Sequence, residues 1–536
     1  MPRPEAVHLV APATLKNWLR DGRELAILDA REEGEFGASH LFWAVPCPLS
    51  VAELRAPALL PRREVRVVCT DGGAGHAERL ATLLAGLGYA EVHVLEGGTP
   101  GWQAAGFEVF SGVNVPSKAF GEWVEHHYET PSVDAAELAA MQSAGEDLLI
   151  VDSRPMVEFE KMSIPGGINV PGGELAYRVP SMLTRPTTKV VVNCAGRTRS
   201  ILGAESLRRL SLPNTVVALR NGTMGWELAG FRCEHGKHDR YAPGTPADAP
   251  DGLARAETFA RDTGVRWIEP PELARMQAEA GRTTYLLDVR DPAEFAEGHL
   301  SGSRNAPGGQ LVQATDGWVA VRQARIVLVD DTGTRAAMTA GWLRLLGGWE
   351  VAVLRGGLAG RLEAGRLAAR LPRERVAGLA KPRIITAAQL AAQLGVGSAV
   401  VVDLARSIAF RAGHIPGAAW GIRTRLAALA AQLPADRLAV IAAPDPDLAA
   451  LAAAELAGLR PAPVAVLEGG TAAWQAAGFP LAADRRVPAD ADCVDWYLRP
   501  YDRTEGVEAA MHAYLAWEID LVHAVARDGD APFGAW

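Results

Sequence analysis

The chain has few cysteines for its length. Only five of its 536 residues are cysteine, at positions 47, 69, 194, 233 and 493. They form neither CxxC pairs nor the pattern of a disulfide framework, which argues against a zinc site and favours a reducing compartment. We therefore expect no metal and no organic cofactor.

Excess positive charge and long apolar runs are also missing. The formal net charge is −9, and no long basic run occurs, so nucleic-acid binding has no electrostatic footprint. No apolar stretch reaches the length of a membrane span, and the first residues lack the apolar region of a signal peptide. The expectation is a cytoplasmic protein without a nucleic-acid or membrane partner.

What the sequence does contain is a fourfold repeat. An apolar run ends in an aspartate in each copy, at Asp29, Asp152, Asp288 and Asp403. A Leu-x-x-Gly block closes each copy, at Leu95, Leu219, Leu354 and Leu467, and three copies place a tryptophan soon after it. The string Trp-Gln-Ala-Ala-Gly-Phe occurs identically at 102–107 and 474–479. Such periodicity indicates four tandem units of similar size.

Short apolar strands alternate with helical patterns inside each unit. In unit 2 the pattern predicts strands at 148–152, 189–193 and 216–219, with helices at 135–142 and 200–210. This alternation is typical of an α/β fold, a small parallel sheet with helices on both faces. The predicted boundaries are unit 1 at 1–110, a packed connector at 111–131, unit 2 at 132–235, a linker at 236–265, unit 3 at 266–367, unit 4 at 384–485 and a C-terminal helical tail at 486–536.

Cys194 follows a β-branched run and opens a short loop before a helix. The loop reads Cys194-Ala195-Gly196-Arg197-Thr198-Arg199. A thiolate is the nucleophilic form of cysteine, and cationic neighbours with a helix N-terminus lower a thiol pKa. The carboxyl end of a strand is where α/β sheets bind ligands. We therefore predict that Cys194 is a catalytic nucleophile.

The loop resembles the active-site loop of rhodanese-like sulfurtransferases, and the repeat extends this resemblance to all four units. The resemblance implies four tandem rhodanese-like domains. Its chemistry moves sulfane sulfur from thiosulfate or a related anionic donor to cyanide or a thiol, through a persulfide on Cys194. Arg197 and Arg199 are then expected to bind the donor, with Ala195, Gly196 and Thr198 in the loop around it. The loop has six residues, whereas a related phosphatase family uses one more.

The equivalent loops of the other units lack this combination of one cysteine and two arginines. In unit 3, Asp330 stands at the cysteine position and Arg335 matches Arg199. Unit 4 has Ala442-Ala443 and no arginine there. In unit 1 the spacing places Thr70 or Asp71 at the catalytic position better than Cys69. We expect units 1, 3 and 4 to be inactive.

Five further residues of unit 2 have predicted roles near the site. Asp152 recurs in every unit, so we interpret it as structural, together with an Arg154–Glu158 pair at helical spacing. Tyr177 and Arg178 have no match in the other units and are candidates for lining the site mouth.

Two alternatives stay open at this point. Cys194 could accept sulfur from a partner persulfide enzyme and pass it on, with the inactive units as docking modules. A phosphatase is disfavoured by the loop length. The aromatic residues of the tail leave open a homodimer or a relay partner, against docking of the tail on its own core.

Overall fold

The computed structural model describes residues 7–360, 362–365 and 382–535. Unit 1 and the helix that follows it contain, in chain order, β1 (Val7–Val10), α1 (Pro12–Trp18), β2 (Leu25–Asp29), α2 (Glu33–Phe36), β3 (Ala44–Pro46), α3 (Ala52–Leu59), β4 (Arg66–Thr70), α4 (His76–Gly86), β5 (Glu91–Leu95), α5 (Gly98–Ala104) and α6 (Val115–Tyr128). Helix α6 occupies the predicted connector at 111–131.

Unit 2 and its following helix contain β6 (Ser132–Val133), α7 (Ala135–Ser143), β7 (Leu148–Asp152), α8 (Met156–Lys161), β8 (Ile168–Asn169), α9 (Leu175–Met182), β9 (Lys189–Asn193), α10 (Thr198–Arg208), β10 (Val216–Leu219), α11 (Gly222–Leu228) and α12 (Ala249–Asp262). The three predicted strands have the predicted bounds. Helix α10 begins two residues earlier than predicted.

Unit 3 contains β11 (Arg266–Ile268), α13 (Pro270–Ala278), β12 (Thr284–Asp288), α14 (Pro292–Glu297), β13 (His299–Leu300), β14 (Arg304–Asn305), α15 (Gly308–Gln313), β15 (Val321–Arg322), β16 (Arg325–Val329), α16 (Thr334–Leu346), β17 (Glu350–Leu354) and β18 (Leu362–Glu363). Unit 4 and the tail contain β19 (Ile384–Ile385), α17 (Ala387–Gly395), β20 (Ala399–Asp403), α18 (Ser407–Ala412), β21 (Ala419–Trp420), α19 (Leu426–Ala430), β22 (Leu438–Ala442), α20 (Pro446–Leu459), β23 (Val464–Leu467), α21 (Gly470–Ala476) and α22 (Val507–Asp528).

All four units have one sheet topology. The strand orders are β1-β5-β4-β2-β3, β6-β10-β9-β7-β8, β11-β17-β16-β12-β14 and β19-β23-β22-β20-β21, and these neighbours pair in parallel. The central strands are mainly apolar, with polar residues at their ends, because helices cover both faces of the sheet. In unit 2 the register pairs Asp152 with Asn193, so the repeated aspartate lies beside the start of the Cys194 loop.

The predicted linker at 236–265 contains a packed helix. Its buried residues Ala249, Gly252, Ala256, Phe259 and Ala260 follow helical spacing, and Phe259 packs on Trp342 of α16. The prolines and glycines between 243 and 252 hid this pattern from composition alone. The predicted unit boundaries themselves stay predictions.

Units 2 and 3 touch through the same sequence element. Both contain Asn-x-Pro-Gly-Gly, at 169–173 and 305–309. A Cβ on Gly173 would lie 2.7 Å from the backbone nitrogen of Gly309, and a Cβ on Gly309 would lie 2.7 Å from that of Gly173. Only glycine allows the two backbones to approach this closely.

The remaining contacts join the units into one body. Strand β15 of unit 3 pairs antiparallel with β2 of unit 1, and Arg423 of unit 4 binds Glu53 of unit 1 at 2.7 Å. One continuous buried cluster runs through units 1 to 3 and takes in residues of α6 and α22. Unit 4 keeps its own two clusters. Among the described residues, no helix is long and apolar enough to cross a membrane.

Candidate active site

Cys194 lies directly after β9 and four residues before α10. Its side chain is 2% exposed. Its Sγ lies 3.6 Å from the Ser200 hydroxyl, and its carbonyl oxygen accepts the N–H of Thr223 at 2.9 Å. The thiol therefore sits at the carboxyl edge of the sheet, as predicted, but well shielded from solvent.

Burial raises the pKa of the Cys194 thiol and outweighs the lowering by Arg199 and by the hydroxyl and backbone N–H of Ser200. Glu518 of α22 raises it further. The sequence led us to expect a lowered pKa from the two arginines and the helix N-terminus. That expectation omitted the desolvation of a thiol enclosed by the rest of the chain.

Arg199 is the loop arginine whose charge acts on Cys194. Its guanidinium also binds both oxygens of Glu158 at 2.8 Å. Burial alone would raise the pKa of Glu158, but attraction and hydrogen bonds from Arg199 hold it at about 2. The predicted Arg154–Glu158 pair is replaced by this one. Arg154 instead binds both oxygens of Asp152, at 2.8 and 2.6 Å, and donates to the Met162 carbonyl.

Arg197 is directed toward the connector helix. It forms a bidentate pair with buried Glu122 at 2.8 Å, a second pair with Glu125, and a 3.3 Å contact with Asn221. These acids hold the pKa of Arg197 above its ordinary value although burial lowers it. The guanidinium thus has two carboxylate partners, and the predicted donor-binding role of Arg197 stays a prediction.

Tyr177 and Arg178 lie at the contact between units 2 and 3. Arg178 binds Glu174 at 2.9 Å and Glu294 of unit 3 at 3.3 Å, and it stacks over Tyr177. The Arg335 guanidinium of unit 3 covers Tyr177 as well. Neither residue is among the lining residues of the cavity beside the Cys194 loop, and their predicted role at the site mouth stays a prediction. They are unmatched in the other units because they serve this particular contact.

The other three loop residues meet the connector helix and the tail. Gly196 packs against Glu518 and Tyr514 of α22, where a Cβ would lie 2.9 Å from the Glu518 carboxylate. The Thr198 hydroxyl is 3.5 Å from Glu518. Ala195 forms part of a cavity wall. The tail thus covers the loop directly.

A cavity of about 140 Å³ adjoins the Cys194 loop. Its charged and hydroxyl-bearing lining residues are Lys118, Arg154, Glu158, Lys161, Arg199, Arg499, Tyr501, Asp502 and Tyr514. We call this cavity the chamber. Lys118 from α6 and Arg499, Tyr501 and Tyr514 from the tail were not predicted as site residues. The aromatic content of the tail and connector was the only sequence signal that pointed to them.

A glycine in each unit shows which loop residues are equivalent. Gly98, Gly222, Gly357 and Gly470 all have positive φ, and a Cβ on each would lie closer than 3.0 Å to a carbonyl oxygen. Those oxygens belong to Asp71, Cys194, Asp330 and Ala443, respectively. The catalytic position in unit 1 is therefore Asp71. Cys69 lies within β4, fully buried, and burial raises the pKa of its thiol.

A carboxylate fills the loop in each of the other three units. Asp71 accepts the N–H groups of Gly73 and His76, and Asp330 accepts those of Gly333 and Arg335. In unit 4, Asp445 accepts the N–H groups of Asp447 and Leu448. The backbone donors that would cradle a bound anion are thus used by the chain itself. Among the described residues, no cluster of three metal-ligating side chains occurs.

Comparisons with known proteins agree with this architecture. A model of the rhodanese-like domain matches residues 11–105, 134–229 and 269–363. The crystal structure of a thiosulfate sulfurtransferase from Pseudomonas aeruginosa is 44% identical, covers 98% of this chain and 99% of its own, and superimposes with a TM-score of 0.91. An HTH-type transcriptional regulator of Mycobacterium tuberculosis is 27% identical over 223 residues, which are 41% of this chain and 88% of that protein.

The chain belongs to the rhodanese-like domain family. Unit 4 lies outside the three matched ranges but has the same strand order. The protein is an enzyme of this family, a rhodanese-type sulfurtransferase with tandem repeated domains.

Proposed function

We propose that this enzyme transfers sulfane sulfur from thiosulfate to a small nucleophile through a persulfide on Cys194. One observation carries the proposal. Of the four equivalent loop positions, only that of unit 2 holds a thiol, and this loop adjoins a chamber whose lining includes five cationic side chains and two carboxylates. The solved relative named as a thiosulfate sulfurtransferase supports the choice of donor.

The first half-reaction is a displacement at sulfur. The Cys194 thiolate attacks the outer sulfur of thiosulfate, and a new S–S bond forms. The old S–S bond breaks, and sulfite leaves with its electron pair. Arg199 stabilises the negative charge on Cys194 before the attack and on the persulfide after it.

The second half-reaction restores the thiolate. Cyanide or a small thiolate attacks the terminal sulfur of the persulfide, and the electron pair of the broken S–S bond returns to Cys194. Thiocyanate or a new persulfide leaves. The covalent intermediate divides one transfer into two displacements that use the same site.

Enclosure of the thiol favours small substrates over a protein relay. Cys194 is 2% exposed, and α6 and the tail cover its loop. A partner persulfide enzyme would have to bring its own cysteine past Tyr514 and Glu518. In the relay alternative, free thiosulfate would be a poor donor and a partner protein a good one.

Intact-mass analysis tests the proposal. Thiosulfate alone should add one sulfur atom, about 32 Da, to the full-length protein, and later addition of cyanide should remove it. Cys194→Ser should show no added sulfur and no thiocyanate formation. Cys69→Ala is the matched control, since it removes a buried thiol outside the catalytic position and should load normally.

Two results would contradict this assignment. One is a Cys194→Ser protein that still loads sulfur. The other is a wild-type protein that loads from a partner persulfide enzyme but not from millimolar thiosulfate, which would support the relay.

A further inference from the structure

Two of the chamber's cationic side chains come from outside the catalytic unit. Lys118 belongs to the connector helix α6, and Arg499 belongs to the tail. We propose that Lys118 and Arg499 bind the sulfonate group of the donor and thereby select a small, doubly charged donor anion. This inference rests on the function proposed above and deepens it.

The other cations of the chamber are already neutralised. Arg199 binds Glu158, Arg154 binds Asp152, and Lys161 binds Asp502 at 2.9 Å. In the described parts of the chain, Arg499 forms no ion pair within 4.0 Å; its guanidinium lies over the Trp496 ring at 4.9 Å, and its charge helps to lower the pKa of Glu158. Arg499 is exposed at the chamber wall. Its positive charge is therefore available to an incoming anion.

Lys118 is a buried ammonium group held mainly by neutral partners. It is 4% exposed, and its Nζ donates to the Tyr514 hydroxyl at 2.5 Å. It lies over the rings of Tyr514 and Trp517, at 4.4 and 4.6 Å, and 3.9 Å from Glu518. Burying an ammonium group is costly unless opposite charge and hydrogen bonds compensate it, and Glu518 is the one carboxylate that pairs with it among the described residues. A dianion in the chamber would add a second counter-charge to that of Glu518.

The chamber's size fits this ligand. Pockets for larger organic ligands typically measure about 300–1,000 Å³, whereas the chamber measures about 140 Å³. Asn114 and Gln313 also line the chamber, and their amide NH2 groups can donate hydrogen bonds to an anion. Ala195, next to Cys194, completes the lining, so a bound anion would lie beside the nucleophile.

The Lys118 charge also makes donor binding depend on pH. Burial lowers the pKa of Lys118 to about 8, against the raising effects of Glu518 and of a Cys194 thiolate. The groups facing it are Tyr514 and Glu518 of α22, Arg499 of the tail, and Arg199 and Cys194 of the loop. Because the ammonium loses its proton as pH rises through about 8, donor affinity should fall there.

The experiment measures persulfide loading by rapid quench and intact mass at increasing thiosulfate concentration. Loss of a charge-assisted bond corresponds to about ten- to hundredfold in affinity. Lys118→Met and Arg499→Gln should raise the half-saturating thiosulfate concentration by about that factor. Loading rate at saturation and the cyanide step should change by less than about threefold. Arg503→Gln, an exposed arginine of the same tail outside the chamber, is the control and should behave as wild type.

The pH profile distinguishes binding from a merely structural role. Wild-type half-saturation should rise above pH 8, and the Lys118→Met profile should lack this rise. Arg499 is exposed, so its substitution tests the proposal even if the Lys118 variant does not fold. Unchanged half-saturation in Arg499→Gln, with normal loading of wild type, overturns the inference and leaves the proposed function intact.

Calorimetric titration with sulfite separates the two proposals further. If wild type fails to load sulfur from thiosulfate, the proposed function fails. Sulfite binding to wild type that is weakened in Arg499→Gln would still support the anion site. Absence of sulfite binding to wild type would overturn it.

Discussion

The loops of units 2 and 3 begin at equivalent residues, Cys194 and Asp330, and end at equivalent arginines, Arg199 and Arg335. The two loops have the same length, but their backbones differ before the helix, where φ is −122° at Arg197 and +91° at Gly333, and they meet different surroundings. The unit 2 loop adjoins the chamber under α6 and the tail. The unit 3 loop closes on its own aspartate, and its arginine is directed into the contact with unit 2.

The pairing of the two arginines shows how the roles diverged. Arg199 binds one carboxylate and still lowers the pKa of the neighbouring thiol. Arg335 is fully buried and binds Glu174, Glu294 and Asp331 at 2.6–2.8 Å. The same repeat position thus holds an arginine that acts on a thiol in unit 2 and an arginine that joins units 2 and 3 in unit 3.

Among the substitutions that test this comparison, Arg335→Met should have the largest effect, a loss of stability. Its removal leaves buried Asp330 without a positive partner and leaves Glu174 with Arg178 alone, and breaking a buried pair typically costs about 3–5 kcal/mol. We expect a clear drop in the thermal unfolding temperature measured by calorimetry. Sulfur transfer per folded molecule should stay within about twofold. A large loss of transfer in protein that remains folded would contradict the structural role.

The matching variant in unit 2 is Arg199→Met. It removes the main charge that lowers the Cys194 pKa, so thiolate formation and persulfide stabilisation should both suffer. Loss of one charge-assisted interaction corresponds to about ten- to hundredfold in the loading rate at saturating thiosulfate. Single-turnover intact-mass measurements would show it. A rate equal to wild type would mean that Arg199 acts only through Glu158.

The pH dependence of loading sharpens the electrostatic argument. Because burial raises the Cys194 pKa, the thiolate is the minor form at pH 7, and its fraction grows with pH. At saturating thiosulfate the loading rate should rise by up to about tenfold per pH unit below that pKa. In Arg199→Met the rising limb should shift to higher pH. A flat profile between pH 6 and 9 would indicate that the ligand-free pKa does not govern the reaction.

Arg197→Lys should give the smallest effect. A lysine keeps the positive charge beside Glu122 but cannot reproduce a bidentate guanidinium contact. If Arg197 serves only the connector helix, half-saturating thiosulfate should change by less than about threefold in a steady-state cyanide assay. A tenfold increase in the half-saturating thiosulfate concentration would indicate that Arg197 binds the donor.

The repeat pattern in the sequence predicted most of the fold. In unit 2 the predicted strands at 148–152 and 189–193 have the observed bounds, because short apolar runs alternating with helical patterns are typical of strands covered on both faces. The linker at 236–265 was harder to interpret. Its prolines and glycines are typical of a linker, and the apolar face of α12 can be recognised only once its contact with α16 is known.

The candidate site was predictable only where it is local in sequence. The loop from Cys194 to Arg199 is continuous, so its thiol and helix N-terminus could be placed from spacing alone. Lys118, Arg499, Tyr514 and Glu518 lie up to 324 positions from Cys194, and no periodicity links them to it. The direction of Arg197 was equally hidden, since it depends on Glu122 in the connector helix.

The sequence by itself determined the repeated sheet, the position of Cys194 after a central strand and the replacement of that cysteine in units 3 and 4. These properties follow from hydrophobic pattern and side-chain chemistry within short segments. Only the tertiary structure decided the protonation and access of Cys194 and the partners of each arginine. Protonation, access and pairing depend on burial and on charges that packing brings close together. The segments that supply this burial and these charges are α6, unit 3 and the tail.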